Sequence, residues 1–186
     1  MLKNKLNLAK QCAIKQHKGQ YRKNNKTPYW HHLRDVVNNL EMMGIVDESI
    51  LCAGWLHDSI EDTSFDFDDV SKYFDKKTAQ IVSDVTKETR LPTNTQEKNY
   101  LKQLSNSSWQ AKVVKLGDIL ANISDLKNSG LTKKQKVIQV KYKMKYLNAI
   151  KSGIMTNKSK IPNLSQTENL LNLVLDQYGQ RKITLF

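Results

Sequence analysis

The chain has 186 residues and carries 30 Lys and Arg against 18 Asp and Glu, a formal charge of +12. That length suits one domain with a sizeable apolar core, and the charge implies attraction to polyanions, whether nucleic acid, an anionic membrane or a phosphorylated small molecule. The content of only 7 Gly and 3 Pro favours long helices over the frequent tight turns of an all-β fold, and an all-α class is expected; no uninterrupted apolar run marks a membrane span or a secretory leader, so a cytoplasmic location is expected.

Apolar spacing predicts a first helix over about residues 2–17, with Leu2, Leu6, Ala9 and Ala13 on one face. His17 reads as a surface residue beside HKGQYRKNNKTPY, an exposed basic loop broken by Gly19 and Pro28. A second helix from about Trp30 carries Val36, Val37, Leu40 and Met43 and ends near Gly44. Asp47 can cap a third helix that runs through GWLHDSIEDT and stops around Thr63. Cys12 and Cys52 belong to no CxxC pair and read as small apolar residues without redox or metal roles.

Short helices follow at 66–75 and 76–88, then a loop, TRLPTNT, and a helix over 95–105. The segment SWQAKVVKLGDILANISDLKNSG keeps Val113, Leu116, Leu120, Ile123 and Leu126 at helical spacing, and Gly130 ends it. Another helix follows, with Val137, Val140, Met144 and Leu147 spaced 3, 4, 3; its Lys-rich stretch 133–145 reads as a solvated face. A last helix spans about 165–178, and RKITLF is a tail of undefined form. Residues 1–186 read as one domain, without repeats or linkers.

The third helix poses the chemical question, because an apolar run leads straight into His57, Asp58, Glu61 and Asp62. Burying such groups is costly unless a cation compensates them. Helical spacing puts the four on one side of two turns. Adjacent residues still diverge by about 100°, so His57 and Asp58 can share an ion only in a crevice to which other helices add ligands. Asp118 is one candidate, an acid in an apolar helix with the neutral Asn122 one turn later; an ordinary buried Asp–Lys pair is the plainer reading. His31 or His32 can supply an imidazole. Two imidazoles and two carboxylates without a thiolate suit manganese, iron or zinc with positions open to water.

HKGQYRKNNKTPYWHH, GWLHDSIEDT and AKVVKLGDILANISDL, in this order and spacing, resemble the HD-domain hydrolases of the RelA/SpoT superfamily, and the chain is most similar to the small stand-alone alarmone hydrolases. The resemblance implies an all-helical HD-domain bundle and a metal, usually manganese, on His32, His57, Asp58 and Asp118. It implies that Glu61 and Asp62 orient and deprotonate water, that Arg22 and Lys23 contact substrate, and that Asn122 shapes the pocket. The implied reaction is hydrolysis of the 3′-diphosphate of guanosine tetra- or pentaphosphate to pyrophosphate and GDP or GTP. KLGD stands where the family has KLAD, Leu33 where a Pro is frequent and Ser124 where an Arg is common; Gly117 is expected only to loosen helix packing. Two competing readings are an HD phosphohydrolase for another nucleotide, such as a dinucleotide 2′-phosphate or a nucleoside monophosphate, and a basic helical nucleic-acid-binding module. The second is disfavoured because all the proposed ligands and the Glu61–Asp62 pair are present together.

Overall fold

A computed structural model describes residues 2–90 and 92–185, with side chains from Lys5 onward. The expected contribution of the Leu2 side chain, and the positions of Leu91 in the loop and Phe186 in the tail, lie outside the described residues. Along the chain run α1 (Leu2–Gln16), α2 (Trp30–Met42), α3 (Glu48–Leu56), α4 (Ser59–Asp62), α5 (Phe67–Tyr73), α6 (Lys76–Val85), α7 (Thr93–Asn106), α8 (Trp109–Asp125), α9 (Lys133–Thr156) and α10 (Leu164–Gln177). The described β pairing is one isolated antiparallel bridge between Tyr21 and Pro28.

Local chemistry sets these limits. Asp47 accepts from the amides of Ser49 and Ile50 and so starts α3. Asp66 and Asp69 form a reciprocal capping box on α5, Asp75 caps α6, Ser108 caps α8, and Thr132 with Gln135 boxes α9. Each such cap contributes about 1 kcal/mol by satisfying amides that the first turn leaves without partners. The carboxylates between Asp58 and Asp69 thus have two uses: Asp66 and Asp69 hold a helix end, while Asp58, Glu61 and Asp62 line a cleft. Gly44, at φ +82°, takes the left-handed geometry that closes α2 and faces Pro162.

The third predicted helix is not continuous. It breaks at His57 and Asp58, and α4 restarts at Ser59. The tail also has defined form: Asn172 exchanges hydrogen bonds with the backbone of Ile183, and Glu168 accepts from the amide of Leu185, a fully buried residue.

α8 is the central element. Ala111 to Ala121 are buried without interruption, and the helix packs against α2, α3, α6 and α9. Two glycines set how closely α2 is approached. A Cβ at Gly117 would lie 3.3 Å from the Val36 carbonyl oxygen, and Asn39 Nδ2 donates to the Gly117 carbonyl at 3.0 Å. Gly117 thus allows close approach rather than loosening the packing.

On the α3 side, a Cβ at Gly54 would lie 2.7 Å from Leu40 Cδ1 and 3.1 Å from Val37 Cγ2. Gly54→Ala gains about 1 kcal/mol of helix propensity but overpacks a buried contact at a cost of roughly 1–3 kcal/mol. A net fall in the urea midpoint is expected; an unchanged midpoint would show that Leu40 can turn aside.

Candidate functional site

The break between α3 and α4 is what brings adjacent ligand-type side chains together. His57 keeps helical angles, but Asp58 sits at φ −97°, ψ −2°, in the sparsely occupied bridge region. This turns its carboxylate back until Oδ2 lies 3.0 Å from His57 Nε2. The Tyr21–Pro28 bridge and the Tyr29 amide bond to the Gln20 carbonyl fold the basic loop onto the start of α2, which delivers His32. Its Nε2 lies 3.2 Å from Asp118 Oδ1 and 3.6 Å from Asp58 Oδ2, and His57 Nε2 lies 3.7 Å from Asp118 Oδ1.

His32, His57 and Asp118 offer ligand atoms that all lie within 4.8 Å of one another, and Asp58 faces both imidazoles from the cleft side. The Asp58 side chain is 20 % exposed, against 1 %, 2 % and 5 % for His32, His57 and Asp118. His31 instead packs its ring on Trp30, 4.0 Å between centroids.

These groups fit a divalent cation. His57 Nδ1 lies 3.0 Å from the Gly54 carbonyl, an acceptor only, so Nδ1 carries the proton and the Nε2 lone pair faces the two carboxylates. Nε2 is buried without a hydrogen-bond partner. The His57 lone pair and two carboxylate oxygens pointing at one another repel unless a positive charge lies between them. Tyr29 donates to Asp58 Oδ2 at 2.7 Å, and Lys115 reaches Asp118 Oδ2 at 2.7 Å. The cation beside Asp118 is thus one turn before it rather than after it. The Asp–Lys pair and the carboxylate facing the imidazoles coexist on one residue.

Without a metal, a proton is the available substitute. Burial opposes charge on His57, but Asp58 and Asp118 outweigh it and raise its pKa from 6.5 to about 10. His32 goes the other way, lowered by burial despite Asp118. Burial alone would raise both carboxyls; the imidazoles hold Asp58 low, and Lys115 and Lys143 hold Asp118 low. The His57 charge therefore contributes stability in full below pH 6.5 and loses it as pH rises towards 10. The unfolding temperature of metal-stripped protein should fall across that window, and a divalent ion should remove the slope by replacing the proton. An identical slope with and without metal would refute this account.

The centre opens into a cleft of about 320 Å³ whose lining includes Arg22, Lys23, Glu61, Asp62, Asn122 and Lys143, a volume typical of small-ligand sites. Arg22 is held by Asp125 at 3.2 Å and Asn122 Oδ1 at 3.1 Å, above the Tyr29 ring. Asn122 Nδ2 in turn donates to the Asp118 carboxylate and backbone carbonyl. Lys23 donates to Gln139 at 3.0 Å. Glu61 accepts from the Lys87 amide at 2.8 Å, and Lys87 is anchored through Nζ by Glu97, Tyr142 and Tyr146, each at 3.2 Å. Burial is the main influence raising the pKa of both Glu61 and Asp62, which moves them towards the range useful for proton transfer.

Several contributors differ from the sequence reading. His17 is buried, stacked on Tyr29 at 5.0 Å and bonded to Gln20, not on the surface. The Lys-rich helix is not wholly a solvated face, since Gln139, Tyr142 and Lys143 of α9 line the cleft; their 3 and 4 spacing is the signal that could have shown it. Tyr29 entered the sequence reading only as the Tyr that precedes His32 in the matched motif, with no role of its own, and Lys115 carried no individual signal.

Among curated relatives, the guanosine-3′,5′-bis(diphosphate) 3′-pyrophosphohydrolase MESH1 of Xenopus tropicalis is 38 % identical over 117 residues, 62 % of this chain and 65 % of that one. The Drosophila melanogaster and Homo sapiens proteins of the same name are 36 % and 37 % identical, also over 62 % and 61 % of this chain. The matched stretch spans just under two thirds of these relatives' length. A solved structure described as a metazoan orthologue of SpoT that hydrolyses ppGpp superposes with a TM-score of 0.80 at 28 % identity, covering 95 % of this chain and 97 % of the other. One from Listeria monocytogenes, at 23 % identity, a TM-score of 0.65 and coverage of 82 % and 97 %, shares the fold. The profile of the HD domain matches residues 9–144, and with most of its length matched, the chain belongs to the HD-domain family.

Proposed function

We propose that the chain is a metal-dependent hydrolase that removes the 3′-diphosphate of guanosine tetra- or pentaphosphate, consuming water and releasing pyrophosphate with GDP or GTP. The observation that carries this reading is the meeting of two imidazole nitrogens and two carboxylates at the floor of a cleft whose lining also brings in Arg22, Lys23 and Lys143. A divalent ion on His32, His57, Asp58 and Asp118, taken as manganese with other transition metals as alternatives, would acidify water and offset phosphate charge.

The remaining chemistry belongs to the protein. Glu61, steadied by the Lys87 amide, and Asp62 orient the attacking water and accept its proton. Arg22 and Lys23 make charge-assisted contacts to phosphate oxygens, and Asn122 fixes Arg22 relative to Asp118. The excess positive charge draws in the anionic nucleotide. Residues 1–186 act as a single HD-type catalytic domain in this reading. No helix among the described residues is long and apolar enough to cross a membrane, and the proposed location is the cytoplasm.

The test is turnover by metal-stripped and manganese-reloaded protein across guanosine tetraphosphate, guanosine pentaphosphate, a dinucleotide 2′-phosphate and nucleoside monophosphates. Pyrophosphate release from the first two, only after reloading, is expected. Faster turnover of another nucleotide would move the assignment to it, and salt-sensitive nucleic-acid binding without any turnover would overturn the enzyme reading.

A further inference from the structure

The cations around the cleft differ in what already neutralises them. Arg22 is tied to Asp125, and Lys115 to Asp118. Lys143 has no carboxylate within ion-pairing distance among the described residues; the neighbour its ammonium faces is the Tyr146 ring, 5.6 Å away. Lys143 nevertheless lines the cleft beside Asp58 and Asp118, and its charge bears on Asp118 more than that of any other cation except Lys115. Lys23, the other cleft lysine without a carboxylate, donates to the neutral amide of Gln139, one helical turn before Lys143. A half-buried ammonium that feels Asp118 and Asp58 only at a distance, with no carboxylate in contact, keeps its hydrogen-bonding capacity unspent in the free protein, and an entering anion can use it.

From this we infer that Lys143, on α9, is a substrate-binding residue that holds phosphate oxygens at the metal end of the cleft, with Lys23 and Gln139 continuing the same anion-binding wall outward. The inference rests on the nucleotide-hydrolase reading above, and it adds a phosphate contact from the helix face that looks solvated in sequence.

Two measurements on manganese-loaded protein test it separately from that reading: steady-state kinetics with guanosine tetraphosphate, and calorimetric affinity for inorganic pyrophosphate. Lys143→Met should raise KM and weaken pyrophosphate binding by about 10- to 100-fold, the worth of a lost hydrogen bond to a charged group. A much smaller change in kcat is expected, because the contact is made in ground and transition states alike.

Lys143→Arg should recover most of both losses, and Lys134→Met, an exposed control on the same helix, should change neither. If Lys143→Met is misfolded by circular dichroism, Lys143→Gln takes its place. Wild-type affinity and KM in the Met or Gln variant would overturn the inference, as would absence of pyrophosphate binding by the wild type. Pyrophosphate binding that depends on Lys143, without alarmone turnover, would uphold the anion site and sink the hydrolase assignment instead.

Discussion

Replacing Asp58 with Ala should remove bound metal and lower kcat by on the order of a thousandfold, the several kcal/mol that a metal's charge stabilisation supplies. Asp58 is the most exposed of the four to the cleft, with Oδ2 3.0 Å and 3.6 Å from the two imidazoles. Its removal leaves His32, His57 and Asp118, so metal content by elemental analysis should fall together with turnover. Tyr29→Phe is the graded control: it deletes only the 2.7 Å hydrogen bond to Asp58, and loss of such an outer contact typically costs about 10- to 100-fold in affinity or activity. Full activity in Asp58→Ala, or full metal content without activity, would remove Asp58 from the ligand set.

The second large effect expected is from Glu61→Gln, a loss of roughly 10²- to 10⁴-fold in kcat with metal content unchanged, the range for deleting a general base. The amide oxygen of Gln can still accept from the Lys87 backbone, so the position is kept while the basicity is lost. Asp62→Asn is the necessary companion, since burial raises both carboxyls. If Glu61→Gln turns over normally while Asp62→Asn does not, the base is Asp62 and Glu61 only orients water.

Much of this architecture could be read in advance because its causes are local. Asp47 and Gly44 announce the helix ends they form, and apolar spacing gives the helices their inner faces, as Val113, Leu116, Leu120 and Ile123 show along α8. The four ligand-type residues were nameable from motif and chemistry, but their convergence depends on a break that no local signal marks. HDSIED contains no Gly or Pro, and its periodicity continues through the point where the backbone turns. His17 looked exposed because its neighbours are basic; it is buried because the loop folds back and lays Tyr29 on its ring. Lys143 was hidden among lysines, and only the packing of α9 on α8 shows which one turns inward.

One feature of the cleft makes its two ends thermodynamically dependent on each other. A single amide, Asn122, offers its oxygen to Arg22 and its nitrogen to the Asp118 carboxylate, so an anion that pulls on the guanidinium also tugs on the carboxylate beneath. Whatever factor an arriving nucleotide imposes on the dissociation constant of the ion, the ion must return to the nucleotide in equal measure.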